Sequence, residues 1–195
     1  KLPGGFMFSF RRTLAACSLL IAAGSALAQD NLNVARYDNA GLLTYPADLY
    51  AWIQTAASVG SDYNENPIDV ENPGTIGVVQ MEPTAYKYFM EHGEYADGTM
   101  YLLSFYRPER KSDPQLQGFV QGDLVQREIH VIDKVRYPQT AGHAFFLYRG
   151  DTTTATALNE PDNVCVACHI PEGSFDGTFS QFYPDIRARL GLTQD

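Results

Sequence analysis

Cysteine is scarce in this chain, with 3 among 195 residues. No second cysteine pair exists, so a four-ligand structural zinc centre has no obvious ligand set. Basic residues are also in short supply. There are 14 Lys and Arg against 23 Asp and Glu, a formal net charge of −9. A bulk field of that sign excludes nucleic acid or anionic lipid as a partner held by charge alone. No apolar run approaches the roughly 20 residues needed to span a bilayer. Internal repeats and low-complexity tracts are absent as well, so nothing implies a second copy of any unit.

What is present at the N-terminal end reads as an export signal. Arg11-Arg12 forms a positive region, Leu14 to Ala23 an apolar one, and Ala26-Leu27-Ala28 a small-x-small cleavage site. The expectation is a leader over residues 1–28, with the signal peptide running from Met7 to Ala28, and one domain over 29–195. Leu14-Ala15-Ala16-Cys17 has the look of a lipoprotein box, but the apolar region follows the cysteine instead of preceding it. Losing the leader removes three basic residues and no acidic ones, leaving 11 against 23 and a net charge of −12. Both export and a cleaved signal peptide point to a periplasm.

The two remaining cysteines stand together in Cys165-Val166-Ala167-Cys168-His169, which reads Cys-x-x-Cys-His. That is the attachment signature of a c-type haem. Two thiols three positions apart each form a thioether with one porphyrin vinyl group, and the adjacent imidazole becomes the proximal iron ligand. A thioredoxin-like redox pair is the competing reading. It needs a preceding strand and a following helix, whereas Pro161 and Pro171-Glu172-Gly173 make the flanks look like loop. One haem c, held by Cys165, Cys168 and His169, is the reading carried forward.

Periodicity supplies a coarse fold. Leu49, Trp52, Ile53 and Ala56 recur at helical spacing, predicting a helix over 46–58. A strand over 75–81 follows, then a helix over 83–92 opened by Pro83 and stopped by Gly93. Asp97-Gly98 turns the chain into a strand over 99–106. Strand patterns continue over 118–120 and 123–133, and a buried strand is expected over 144–148. A short helix is expected over 152–158, and a C-terminal helical region over 179–190 is broken at Pro184. The order predicts an α+β domain, an antiparallel sheet flanked by helices, with a C-terminal haem-attachment loop. It does not suit an all-helical electron carrier.

Period two places Tyr101, Leu103 and Phe105 on one strand face, and Leu124, Gln126, Glu128, His130 and Ile132 on another. Two explanations of Glu128 and His130 stand open. Either they face solvent, or Glu128 points over the iron, where a carboxylate of raised pKa shuttles protons. Met81, Met90 and Met100 are available as sixth ligands for an electron carrier, but they lie in patterns that read as core.

From about residue 43 to 190 the chain resembles the cytochrome P-460 family, which includes the cytochromes c′-beta. The resemblance runs through Leu43-Thr44-Tyr45-Pro46, Trp52, Gly93-Glu94-Tyr95-Ala96-Asp97-Gly98-Thr99 and Gly118-Phe119-Val120-Gln121-Gly122-Asp123. It continues through Glu128, Gly142-His143-Ala144-Phe145-Phe146, the Cys165 to His169 motif and Phe182-Tyr183-Pro184. It implies a small sheet-rich fold, commonly a homodimer, with a five-coordinate haem and His169 proximal. In hydroxylamine-oxidising members a lysine after the Asp-Gly turn is bonded to the haem ring, and alignment through Gly98-Thr99 puts Leu103 at that position. Glu128 matches the distal carboxylate of the family. The resemblance thus implies either a nitric-oxide-binding cytochrome, with Leu103 and Phe105 lining its distal face, or an oxidoreductase. The oxidoreductase would act on hydroxylamine or nitric oxide, with Glu128 as proton relay and another cytochrome accepting electrons. Tyr101, two residues earlier on the same strand face as Leu103, is a conceivable alternative link to the ring.

Overall fold

The computed structural model describes residues 31–60, 71, 73–111 and 117–193. The expected signal peptide and most of the expected loop over 60–73 lie outside the described residues.

The architecture is α+β. Five antiparallel strands form the main sheet in chain order: β2 (Ile53–Val59), β3 (Ile76–Met81), β4 (Thr99–Lys111), β5 (Gly118–Ile132) and β6 (His143–Tyr148). A second small sheet pairs β1 (Leu43–Thr44) with β7 (Thr154–Ala155). Helix α1 (Pro83–His92) connects β3 to β4, and α2 (Val164–Glu172) and α3 (Pro184–Leu190) close the described chain.

Local signals explain α1. Pro83 occupies the first helical turn, the Glu82 carboxylate accepts from Ala85 N at 2.8 Å, and Gly93 ends the helix in a left-handed conformation at φ 77°. Gly98 turns the chain into β4 at φ 85°.

Three elements differ from expectation. Residues 46–58 contain a 3₁₀ turn at Leu49–Ala51 and the edge strand β2, not a helix. The reason lies in a register shift between Gln54 and Ala56, which pairs Ile53 with Met81 and Ala56 with Val79. The extra residue puts two apolar side chains three positions apart on one strand face, a bulged strand that mimics a helical period. Residues 152–158 form β7 and an isolated bridge from Leu158 to Phe145, not a short helix. The Cys-x-x-Cys-His motif lies on α2, not in a loop. Its flanking Asn163 and Gly173 mark the ends of a helix.

The sheet buries both faces, which is why Met100-Tyr101-Leu102-Leu103 reads as a continuous apolar run. Met100, Leu102, Ile129, Val131, Ala144 and Phe146 pack on one face with Trp52, Leu43 and Tyr148. Tyr101 and Ile132 pack on the other with Met81, Phe89, Tyr95 and Ile186. Met81 and Met100 are thus core residues, 0% and 1% exposed. Together these faces orient the sheet so that one set of alternate residues meets the helix α2 side of the domain.

Candidate haem site

Helix α2 begins where the Asn163 side chain accepts from Cys165 N at 3.0 Å, satisfying one of the unpaired donors of the first turn. Its spacing brings Cys165, Cys168 and His169 to one helical face. Both thiols are free; Cys165 is half-buried and Cys168 exposed. The helix ends at Gly173, whose N–H donates to His169 O at 3.0 Å. A Cβ on Gly173 would lie 2.7 Å from Gly177 C and from Thr178 N. Glycine there lets the following turn press against the end of α2.

That turn fixes the imidazole. His169 Nδ1 bonds the Gly177 carbonyl at 2.9 Å, which makes Nδ1 the protonated nitrogen and leaves Nε2 as the lone-pair atom. The ring packs among Phe145 and Phe179, each at 4.7 Å between centroids, and His130 at 5.2 Å. Burial holds the His169 pKa below its usual value, and the Gly177 hydrogen bond opposes that shift. A neutral imidazole with one nitrogen committed and one free is the form that coordinates iron.

The strand partners agree with the period-two reading over most of its length. Register pairs Tyr101 with His130, Leu103 with Glu128, and Phe105 with Gln126, so all six share one face. Leu124 departs from it. Beyond a register shift it pairs with Tyr106, so the expected five-residue face ends at Gln126. Glu128 accepts from Gln126 Nε2 at 2.7 Å. After burial, the Glu128 carboxylate is the largest cause pushing the Cys165 thiol pKa up. His130, two residues along the same face of β5, packs against the His169 ring at 5.2 Å, so Glu128 and the attachment helix occupy the same side of the sheet.

The other predicted residues lie at different depths. Leu103 is partly exposed, Phe105 is 6% exposed, and Tyr101 is 4% exposed. The Tyr101 hydroxyl donates to Tyr95 Oη at 3.1 Å, and Tyr95 Oη in turn meets Thr178 and Ser180 at 3.0 and 3.1 Å. That hydroxyl is committed to a buried network.

The residues present fit a covalently held haem. Two free thiols share a helical face with an imidazole whose Nδ1 is already engaged. Apolar Val164, Ile170 and Phe182 stand 75%, 39% and 54% exposed around the motif, a surface that a porphyrin would cover. Among the described residues no group of three His, Cys, Asp or Glu is arranged to hold a bare metal ion.

Sequence reasoning missed two features beside the motif. His130 Nε2 and His143 Nδ1 lie 2.9 Å apart, both buried, and burial lowers the pKa of each. Lys134 Nζ pairs with Asp176 Oδ2 at 3.0 Å. Neither has a local sequence signature: pairing of β5 with β6 brings His130 to His143, and the turn after α2 carries Asp176 back to Lys134.

Among the described residues no helix is long and apolar enough to cross a membrane. The family model for cytochrome P460 matches residues 46–180. No curated protein matches the chain.

Proposed function

The chain belongs to the cytochrome P460 family, and on that premise we propose that it is a periplasmic mono-haem c-type cytochrome whose open distal site binds nitric oxide or a similar small nitrogen ligand. Family membership implies haem. Cys165 and Cys168 would hold a haem c and His169 would serve as its iron ligand, and the group would supply an iron able to bind a small ligand.

The protein contributes the surroundings. His169 presents Nε2 while the Gly177 carbonyl holds Nδ1. Leu103 and Phe105 add apolar surface, which favours a neutral diatomic over water or anions. The observation that carries the reading is Leu103: at the position where hydroxylamine-oxidising relatives carry a ring-linking lysine, this chain has an unreactive side chain. Tyr101 offers no ready replacement, because its hydroxyl is bound to Tyr95.

A second reading is kept by Glu128. Glu128 lies directly across from Leu103, and on this reading its carboxylate would accept a proton from a bound nitrogen substrate. The protein would then be an oxidoreductase passing electrons from hydroxylamine or nitric oxide to another cytochrome. A homodimer is the assembly that the family resemblance implies.

Titrating the ferrous holoprotein with nitric oxide, beside a hydroxylamine assay with an electron-accepting cytochrome, separates the two. One nitric oxide bound per haem without multiple turnovers of hydroxylamine is expected. Sustained reduction of the accepting cytochrome by hydroxylamine overturns the binding reading.

A further inference from the structure

The carbonyl that meets His169 belongs to an unusually constrained turn. Phe175 and Thr178 exchange backbone hydrogen bonds across Asp176-Gly177, whose φ values are 41° and 64°. Positive φ at both central residues is the geometry of a tight hairpin turn. Glycine adopts it freely. For aspartate it is uncommon, and it persists where the surroundings determine it.

Those surroundings come from three directions. Lys134, just beyond β5, holds the Asp176 carboxylate at 3.0 Å, and the His143 ring stands 3.9 Å from its other oxygen. Gly177 lies under the same ring, where a Cβ would come within 2.7 Å of His143. Thr178 is tied to Tyr95 at 3.0 Å and by a short bond to Ser180 at 2.6 Å. Two of these contacts are packing and hydroxyl bonds. The third is a charge pair on the very residue that takes the unfavoured conformation.

We infer that the Lys134–Asp176 ion pair positions the proximal ligand: it holds the turn so that the Gly177 carbonyl stays on His169 Nδ1. The inference rests on the reading of His169 as the haem ligand. Its logic does not need the pair to be strong. A partly exposed pair contributes little to stability, but a hydrogen bond to the distal nitrogen of a metal-bound imidazole raises the donor strength of that ligand. Loosening the turn lengthens that bond, weakens the iron–imidazole bond, and destabilises the ferric state relative to the ferrous one. Lys134 and Asp176 are positioning residues, acting through Gly177.

The test uses the holoprotein and three substitutions. Asp176→Asn removes the ion pair while keeping a side chain that tolerates a left-handed backbone, so any loosening of the turn comes from the lost charge contact and not from a change in backbone preference. Lys134→Met removes the other partner, and Lys134→Arg restores a cation. Lys87→Met is the control for Lys134→Met, because it breaks an exposed pair with Glu91 at 2.7 Å and changes the net charge by the same amount. Resonance Raman spectra of the ferrous proteins read the iron–histidine stretch, and redox titration reads the potential. Asp176→Asn and Lys134→Met are expected to shift the stretch to lower wavenumber and raise the potential, with Lys134→Arg and Lys87→Met matching wild type. Wild-type stretch and potential in both Asp176→Asn and Lys134→Met would overturn the positioning role while leaving His169 as ligand. Absence of any iron–histidine stretch in the wild-type protein would remove the ligand assignment itself.

Discussion

Leu103 and Glu128 face each other across neighbouring antiparallel strands, β4 and β5, on the sheet face that turns toward the attachment helix. On the proposed reading, the first stands where the family resemblance expects a ring-linking lysine and the second is the candidate proton carrier.

Glu128 can be separated from gas binding by mutation. Glu128→Gln keeps the side-chain volume and can still bond with Gln126, but it cannot carry a proton. If hydroxylamine turnover exists, it should fall by about 10² or more, the usual scale for general acid–base groups. Nitric oxide affinity should stay near the wild-type value. Equal hydroxylamine rates in the two proteins would reject the relay role.

Covalent attachment is checked by extraction. Replacing both Cys165 and Cys168 with serine should leave no haem on the polypeptide after treatment with acidified acetone, whereas the wild-type haem stays with the chain. Retention of haem by the double variant would show a link through another side chain.

The two faces of β6 should respond differently. Phe146 is 0% exposed and packs with Tyr37 and Tyr137 on the face away from α2. Phe146→Ala should cost about 3–5 kcal/mol in urea unfolding and leave the haem absorption bands in place. Phe145, whose ring lies 4.7 Å from His169, faces the other way. Phe145→Ala should shift those bands. The reverse result would put the haem on the wrong face of the sheet.

Stability should fall in mild acid. Burial is the main cause lowering the pKa of both His130 and His143 below 6.5. A base with a depressed folded pKa binds its proton in the unfolded state first, so unfolding takes up protons in the window below 6.5 and stability drops as pH falls there. His130→Gln should remove about one proton from that slope, at most about 1.4 kcal/mol per pH unit. Urea midpoints at pH 5.5 and 7.5 read it, and an unchanged slope in the variant would mean His130 is not held neutral.

The sequence made the motif, the strand alternation and the ends of α1 legible because each rests on residues close together in the chain. The Cys-x-x-Cys-His spacing needs five residues, and Pro83 and Gly93 bracket a helix by themselves. What escaped depends on pairing. The bulge in β2 looks helical until Met81 and Val79 are seen opposite Ile53 and Ala56. Asn163 and Gly173 read as loop residues until their bonds to Cys165 and His169 show them as helix ends. The His130–His143 and Lys134–Asp176 contacts have no local signature at all.

The most direct measurement is the absorption spectrum of the purified ferric protein. Leu103 cannot bond to the porphyrin, so the account predicts a red protein with the Soret band of an ordinary haem c. A green protein with a strongly red-shifted Soret band would contradict it, because a ring cross-link would then exist in spite of Leu103.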